Sequence, residues 1–328
     1  MKWLYVFVVT AMLSVPSGVL GYTEITKGGV LATEVIPFAP KPGQQVIVRL
    51  DTSPGSFDGA TVGWRINGVP ATSGVAGNEL RTFVGALGTV TTIEAVVDRT
   101  SDLPIVKTIE INPATAHILV SPDTYTPPGY RGAPEVTPGS SVTLTALPVM
   151  RTATGNTVES KDISFTWRNA GGVVAEGRGI NTVAIDAPET GVSREVIMMA
   201  SVNNNEIVAI EKIAISSVSP EVLYYHEHPT LGTMRGSPIT TTRFTDEEVT
   251  VRAEPFFFSY NDSLDLSWSV DGNNVLPDGN DPYLVTVRRA NDQPAEALID
   301  LLIENTTSVL QRARSSFVLL FGSRDFRF

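Results

Sequence analysis

Beyond its first forty residues the chain alternates apolar and polar positions in short stretches set off by turn residues. In PGQQVIVRL, Val46, Val48 and Leu50 fall on one face; in PGSSVTLTAL, Val142, Leu144 and Ala146 do; in TDEEVTVRAEP, Val249, Val251 and Ala253 do. Later stretches repeat the pattern with Ile93, Ala95 and Val97, with Val196, Met198, Ala200 and Val202, and with Ala297, Ile299, Leu301 and Ile303. Alternation of period two predicts strands with one buried face. Three further strands are predicted over PIVKTIEINP, AIEKIAISS and SSFVLLFGS. Helical spacing is hard to find past the first residues, and 27 glycines and 22 prolines punctuate the chain. The predicted fold class is therefore all-β.

The strands come in three sets. After the N-terminal Trp3, the tryptophans are Trp64, Trp167 and Trp268, 103 and 101 residues apart. That period exceeds any solenoid repeat and matches the size of one small β-sandwich. Asn67-Gly68 and Asp271-Gly272 follow two of these tryptophans at the same offset, and both pairs favour the left-handed dihedrals of a tight hairpin. Asn169-Ala-Gly-Gly stands in the middle copy. The three tryptophans are thus expected on strands, indoles inward, as core landmarks. Arg131-Gly-Ala-Pro134 and Arg235-Gly-Ser-Pro238 form a second matched element, 104 residues apart. The reading is a leader over 1–21 and three modules, at 22–113, 114–218 and 219–328.

A lone core tryptophan ahead of a hairpin, in tandem units of about 100 residues, resembles the immunoglobulin-like and PKD-like modules of bacterial secreted and surface proteins. The resemblance implies three β-sandwiches in a row, without the cysteine pair of antibody domains: the chain has no cysteine. Each module must then hold together by core burial alone.

Lys2 followed by the apolar run Trp3 to Leu13, Pro16 and small residues up to Gly21 reads as a secretory signal peptide cut after Gly21; an uncleaved membrane anchor is the alternative, although the run is short of the roughly 20 residues that span a bilayer. A secreted, extracellular, cell-surface or periplasmic location is expected, with no transmembrane segment after cleavage. Lys and Arg number 24 against 35 Asp and Glu, a formal charge of −11. A surface of that sign repels phosphate backbones, so no nucleic-acid partner is expected.

Three patches carry candidate chemistry. In VLYYHEHPTLG, His226 and His228 sit two apart on an extended backbone and would share a face, as metal ligands do; two imidazoles still fall short of the three protein ligands zinc requires. The alternative is a solvent-exposed joint between modules. In VDGNNVLPDGNDP, Asp271, Asp278, Asn280 and Asp281 bring hard oxygen donors together and make Ca²⁺ the one cofactor to consider, against an ordinary cluster of turn residues. In PFFFSYNDS, alternation puts Phe256 and Phe258 inward and leaves Phe257 facing a partner, a sugar or the chain of the preceding junction. No GxSxG elbow or Ser–His–acid set is legible, and acidic runs such as Asp246 to Glu248, or Asp262 and Asp265, read as turn and loop residues. The expected function is a structural or interaction protein with a protein or surface-glycan partner, not an enzyme. A carbohydrate-binding or accessory module is the alternative, and an enzyme of unknown class ranks behind both.

Overall fold

The computed structural model describes residues 32–51, 60–72, 74–99, 102–202, 206–260, 264–279, 281–291 and 293–322. The predicted signal peptide, Asn280 and Asp262 lie outside the described residues. Among the described residues, apart from one 3-10 turn at Ser160–Asp162, the regular elements are strands, 24 of them, in six sheets. No helix among the described residues is long and apolar enough to cross a membrane.

The sheets pair into three immunoglobulin-like sandwiches in tandem. In module two, Thr182–Asp186, Ser141–Val149 and Thr115–Pro122 make one sheet, while Gly172–Arg178, Ser164–Asn169, Ser193–Val202 and Ile207–Ser216 make the other, each in that order. Module one repeats the plan with Ala32–Ile36, Gln45–Asp51 and Glu79–Phe83 against Val69–Pro70, Thr61–Ile66, Thr91–Arg99 and Asp102–Ile111. Module three does so with Glu221–His228, Glu248–Phe256 and Leu284–Arg288 against Arg312–Phe321, Ala295–Asn305, Leu264–Val270 and Asn273–Val275. It adds Thr241–Phe244, paired in parallel along Arg312–Phe321.

The alternation in the sequence is what fills the cores. Val46, Val48 and Leu50 are fully buried, and so are Val142, Leu144, Val249 and Val251 with at most 1% exposed. Three separate cores result, one between Val46 and Ile111, one between Ala114 and Ile215, one between Val222 and Phe321. Trp64, Trp167 and Trp268 occupy equivalent places, opposite Ala95, Met198 and Leu301 on the neighbouring strand. Each indole N–H donates to a carbonyl thirteen or fourteen residues on, Gly77, Ile180 and Pro282, at 2.9–3.1 Å. Burying an indole is stabilising only if its N–H finds such an acceptor, and the repeat supplies it three times. Asn67-Gly68 and Asp271-Gly272 take the left-handed conformation at both positions, φ 50° and 79° in the first and 49° and 79° in the second, as a type I′ hairpin demands. In module two a register shift after Trp167 accompanies the longer turn.

Linkers are short. Residues 112–114 separate the last strand of module one from Thr115–Pro122, and 217–220 separate Ile207–Ser216 from Glu221–His228. Within each module the first and second strands are joined very differently: by 37–44 in module one, by 123–140 in module two. That eighteen-residue stretch reaches module three.

Candidate functional site at the second junction

The two histidines lie within module three rather than in a joint. Glu221–His228 is its first strand, paired with Glu248–Phe256, and Val222 and Tyr224 are buried in its core. Alternation explains the correction: 222, 224 and 226 share the inward face. His226 packs against Phe244 at 5.4 Å between ring centroids. His228 Nδ1 accepts the N–H groups of Thr230 and Leu231, both at 3.2 Å, and meets the Thr230 hydroxyl at 3.1 Å, so it holds the turn that follows. The two rings stand 6.1 Å apart and nearly perpendicular.

The acidic residues are likewise engaged by their own backbone and neighbours. Asp271 Oδ1 accepts the N–H of Leu298 on the adjacent strand Ala295–Asn305, and Asp278 accepts the Thr286 hydroxyl. Asp281 accepts Tyr283 N–H with Oδ1 and pairs with Arg252 through Oδ2 at 2.8 Å. Among the described residues no three His, Asp or Glu side chains gather as a metal site would require. Glu248 and Asp265, expected in turns and loops, stand on strands, and Glu248 pairs with Arg288.

The aromatic stretch departs most from strand alternation. Phe256, Phe257 and Phe258 are all buried, at 3%, 5% and 1% exposed. Phe257 adopts φ 66°, a left-handed conformation that breaks the two-residue alternation and lets three consecutive rings find cover. Phe258 enters the core of module three. Phe256 and Phe257 meet Tyr130 of module two edge-on, at 5.4 and 6.1 Å. Of the occupants open to Phe257, the junction chain is the one observed.

Backbone pairing fixes that chain. Tyr125 N–H donates to Phe258 O and Phe257 N–H donates to Tyr125 O, both at 2.7 Å, and the hydroxyl of fully buried Thr137 donates to Phe257 O at 2.7 Å. Gln311, 1% exposed, completes the joint: its Oε1 accepts Ser259 N–H and an Asn305 amide hydrogen, both at 2.8 Å, while its Nε2 donates to the Ser259 hydroxyl at 2.7 Å.

Beside this joint the two modules enclose a cleft of about 130 Å³. Pro127, Tyr225 and Phe256 are buried at its floor, and Pro128, Gly129, Tyr130, Arg131 and Arg235 are exposed around it. Both arginines of the matched RGxP elements therefore line one cleft from opposite modules. Arg235 is held: its Nε and Nη2 both donate to Glu254 Oε1, and the carboxylate is 5% exposed. Glu254 lies on the outward face of its strand and is nevertheless buried, at 4% exposed. Arg131 makes no hydrogen bond or ion pair among the described residues. Tyr130 folds over Gly132, where a Cβ would lie 2.4 Å from the tyrosine oxygen, so the glycine of the first RGxP makes room for that ring.

Burial first, then the charge of Glu254, pushes the phenols of Tyr125 and Tyr225 above the ordinary tyrosine range, with Arg235 opposing; Tyr283 is raised by burial, then by Asp281 and Glu254. Burial works against the Arg252 guanidinium, but hydrogen bonds from Asp281 and Glu227 outweigh it and raise its pKa. The cleft thus offers aromatic and proline surfaces beside guanidinium groups, an arrangement suited to recognising an anion on an apolar or ring-shaped body. The sequence carried one hint of it, the repeated RGxP; nothing in that repeat says the two copies meet.

No family model and no curated protein matches the chain. Among solved structures it is similar to the three N-terminal domains of the highly immunogenic outer capsid protein of bacteriophage RB49, at 9% identity over 90% of this chain and 98% of that one, with a TM-score of 0.26. It is also similar to the fibronectin(III)-like modules of Clostridium thermocellum CbhA, at 11% identity over 64% of this chain and 97% of that one, with a TM-score of 0.22. A third is SGBP-B of the Bacteroides ovatus mixed-linkage glucan utilization locus, in complex with a mixed-linkage heptasaccharide, at 12% identity over 92% of this chain and 69% of that one, with a TM-score of 0.22.

Proposed function

We propose that this chain is a secreted or surface-associated spacer and binding protein, a stiff rod of sandwiches that acts by holding and contacting rather than by catalysis. One observation carries the reading: consecutive modules are joined by very short linkers and, at the second junction, by reciprocal backbone hydrogen bonds around buried Thr137 and Gln311. Flexible strings of domains have no use for such a joint, because ordering those side chains costs conformational entropy that only a fixed geometry returns. The leader-like N-terminus and acidic composition support export and solubility. Small-angle scattering on residues 22–328 tests the rod. A compact particle of about 300 residues would have a radius of gyration of roughly 19 Å. The rod is expected to lie clearly above that, with the skewed distance distribution of an elongated body, and a compact profile would refute it.

A further inference from the structure

We propose that the cleft between modules two and three binds an acidic sugar, a hexuronate unit, with Arg131 taking its carboxylate and the aromatic and proline surfaces of the cleft taking its ring. The inference goes beyond the spacer reading and depends on it in one respect, that the second junction stays closed, since neither module makes the cleft alone.

Charge decides the first half of the assignment. Two arginines line the cleft, and the nearby carboxylate of Glu254 is already taken by Arg235, which donates to its Oε1 twice. Arg131 is left over, exposed, on a chain whose formal charge is −11. A single uncompensated guanidinium presents a planar fork that matches a carboxylate in two hydrogen bonds. Shape decides the second half. Tyr130 stands at the rim of the cleft, 42% exposed, and with exposed Pro128 gives it an open apolar surface, while Tyr225 and Phe256 lie buried beneath and close the floor. An exposed tyrosine face takes the C–H side of a pyranose, while a phosphate or sulfate ion would leave it unused. At about 130 Å³ the cleft is below the usual range for drug-sized ligands and suits one ring of a longer chain. Pro127 and Pro128 fix the backbone of one wall, and the buried Arg235–Glu254 pair fixes the other, so little order is lost on binding.

The test is calorimetric titration of the full mature chain with oligogalacturonate, with its methyl ester, with inorganic phosphate and with an acidic peptide such as tetraglutamate. Saturable binding of the free acid is expected, weakened at least tenfold by esterification and at least tenfold by Arg131→Gln, with phosphate and peptide binding no better than the ester. Rising salt should weaken it further. Arg131→Gln should leave the melting temperature unchanged, because the side chain is exposed and supports nothing else. Equal binding of ester and acid, unaltered binding by Arg131→Gln, or peptide or phosphate binding as tight as the sugar would each overturn the assignment. A failed titration with an elongated scattering profile removes the site and leaves the rod; binding by a compact particle does the reverse.

Discussion

At the first junction the Pro42-Gly43 turn meets open space, whereas at the second the matching Pro138-Gly139 turn presses on module three. A Cβ added to Gly43 would have nothing within 4 Å, and one added to Gly139 would lie 2.2 Å from Ser308 Oγ. Around Gly43 the contacts are thin. Asn112 forms an isolated bridge with Ile207 and donates to Arg151 O at 3.3 Å, its Oδ1 is buried without a partner, and Lys41 reaches Glu211 at the surface. The second junction adds Phe256 and Phe257 against Tyr130, three backbone or hydroxyl bonds of 2.7 Å to 257 and 258, and the Gln311 network. Both joints begin from the same turn and strand plan. The difference comes from loop length, eight residues at 37–44 against eighteen at 123–140, and only the longer one carries Tyr125, Tyr130 and Thr137 across. Stiffness in a tandem array is thus set locally, joint by joint, by what one connection can bury.

The largest effect should follow from removing the ring that the second joint was built around. Phe257→Ala gives up a buried phenyl between modules and is expected to cost about 3 kcal/mol. Calorimetry should show modules two and three melting together in the native chain and apart in the variant, with module one unmoved. Because residue 257 sits at φ 66°, Phe257→Gly should recover roughly 1 kcal/mol of backbone strain relative to alanine. A single unshifted transition in both variants would erase the distinction between the joints.

A smaller loss is expected from Gln311→Ala. The 1%-exposed side chain meets Ser259 twice, Asn305 once and Thr137 at 3.4 Å. Truncation strips a partner from the part-buried Ser259 N–H and from the buried Asn305 amide, and leaving such donors unmatched costs about 2 kcal/mol, more than a bond is worth when made. Amide exchange at 257–260 should accelerate in step with that loss. Protection unchanged there would mean that the aromatic rings alone hold the joint.

How far the sequence shows all this depends on the range of the interaction. Core strands were legible because alternation is local: Val46, Val48 and Leu50, or Ala297, Ile299, Leu301 and Ile303, declare a face by spacing alone. The hairpins at Asn67 and Asp271 were legible for the same reason. His226 and His228 belong to the first strand of module three rather than to an exposed joint, and the cue is again local: Val222, Tyr224 and His226 continue that strand's alternation. Asp271, Asp278 and Asp281 resemble calcium ligands in composition, yet their oxygens serve a neighbouring strand's N–H at Leu298, the Thr286 hydroxyl and the local N–H of Tyr283, which composition does not distinguish. The cleft was illegible. It forms where Tyr130 and Arg131 of module two meet Tyr225, Arg235 and Phe256 of module three, and that meeting leaves no trace in periodicity.

The smallest effect belongs to the first joint and bounds the comparison from below. Lys41 Nζ and Glu211 Oε2 stand 3.1 Å apart with 55% and 25% of their side chains exposed, and they link modules one and two directly. An ion pair that open to water gains little, since the attraction is screened and two long side chains must be held still. Lys41→Ala should therefore cost no more than about 0.5 kcal/mol in low salt and nothing measurable in 1 M salt, read as the midpoint of module one's denaturant transition. If the loss instead exceeded about 1 kcal/mol and persisted in high salt, the pair would be shielded and cooperative with the Asn112 bridge. The first joint would then rank as a lock in its own right, and the stiffness assigned to the longer loop would have to be shared between the two.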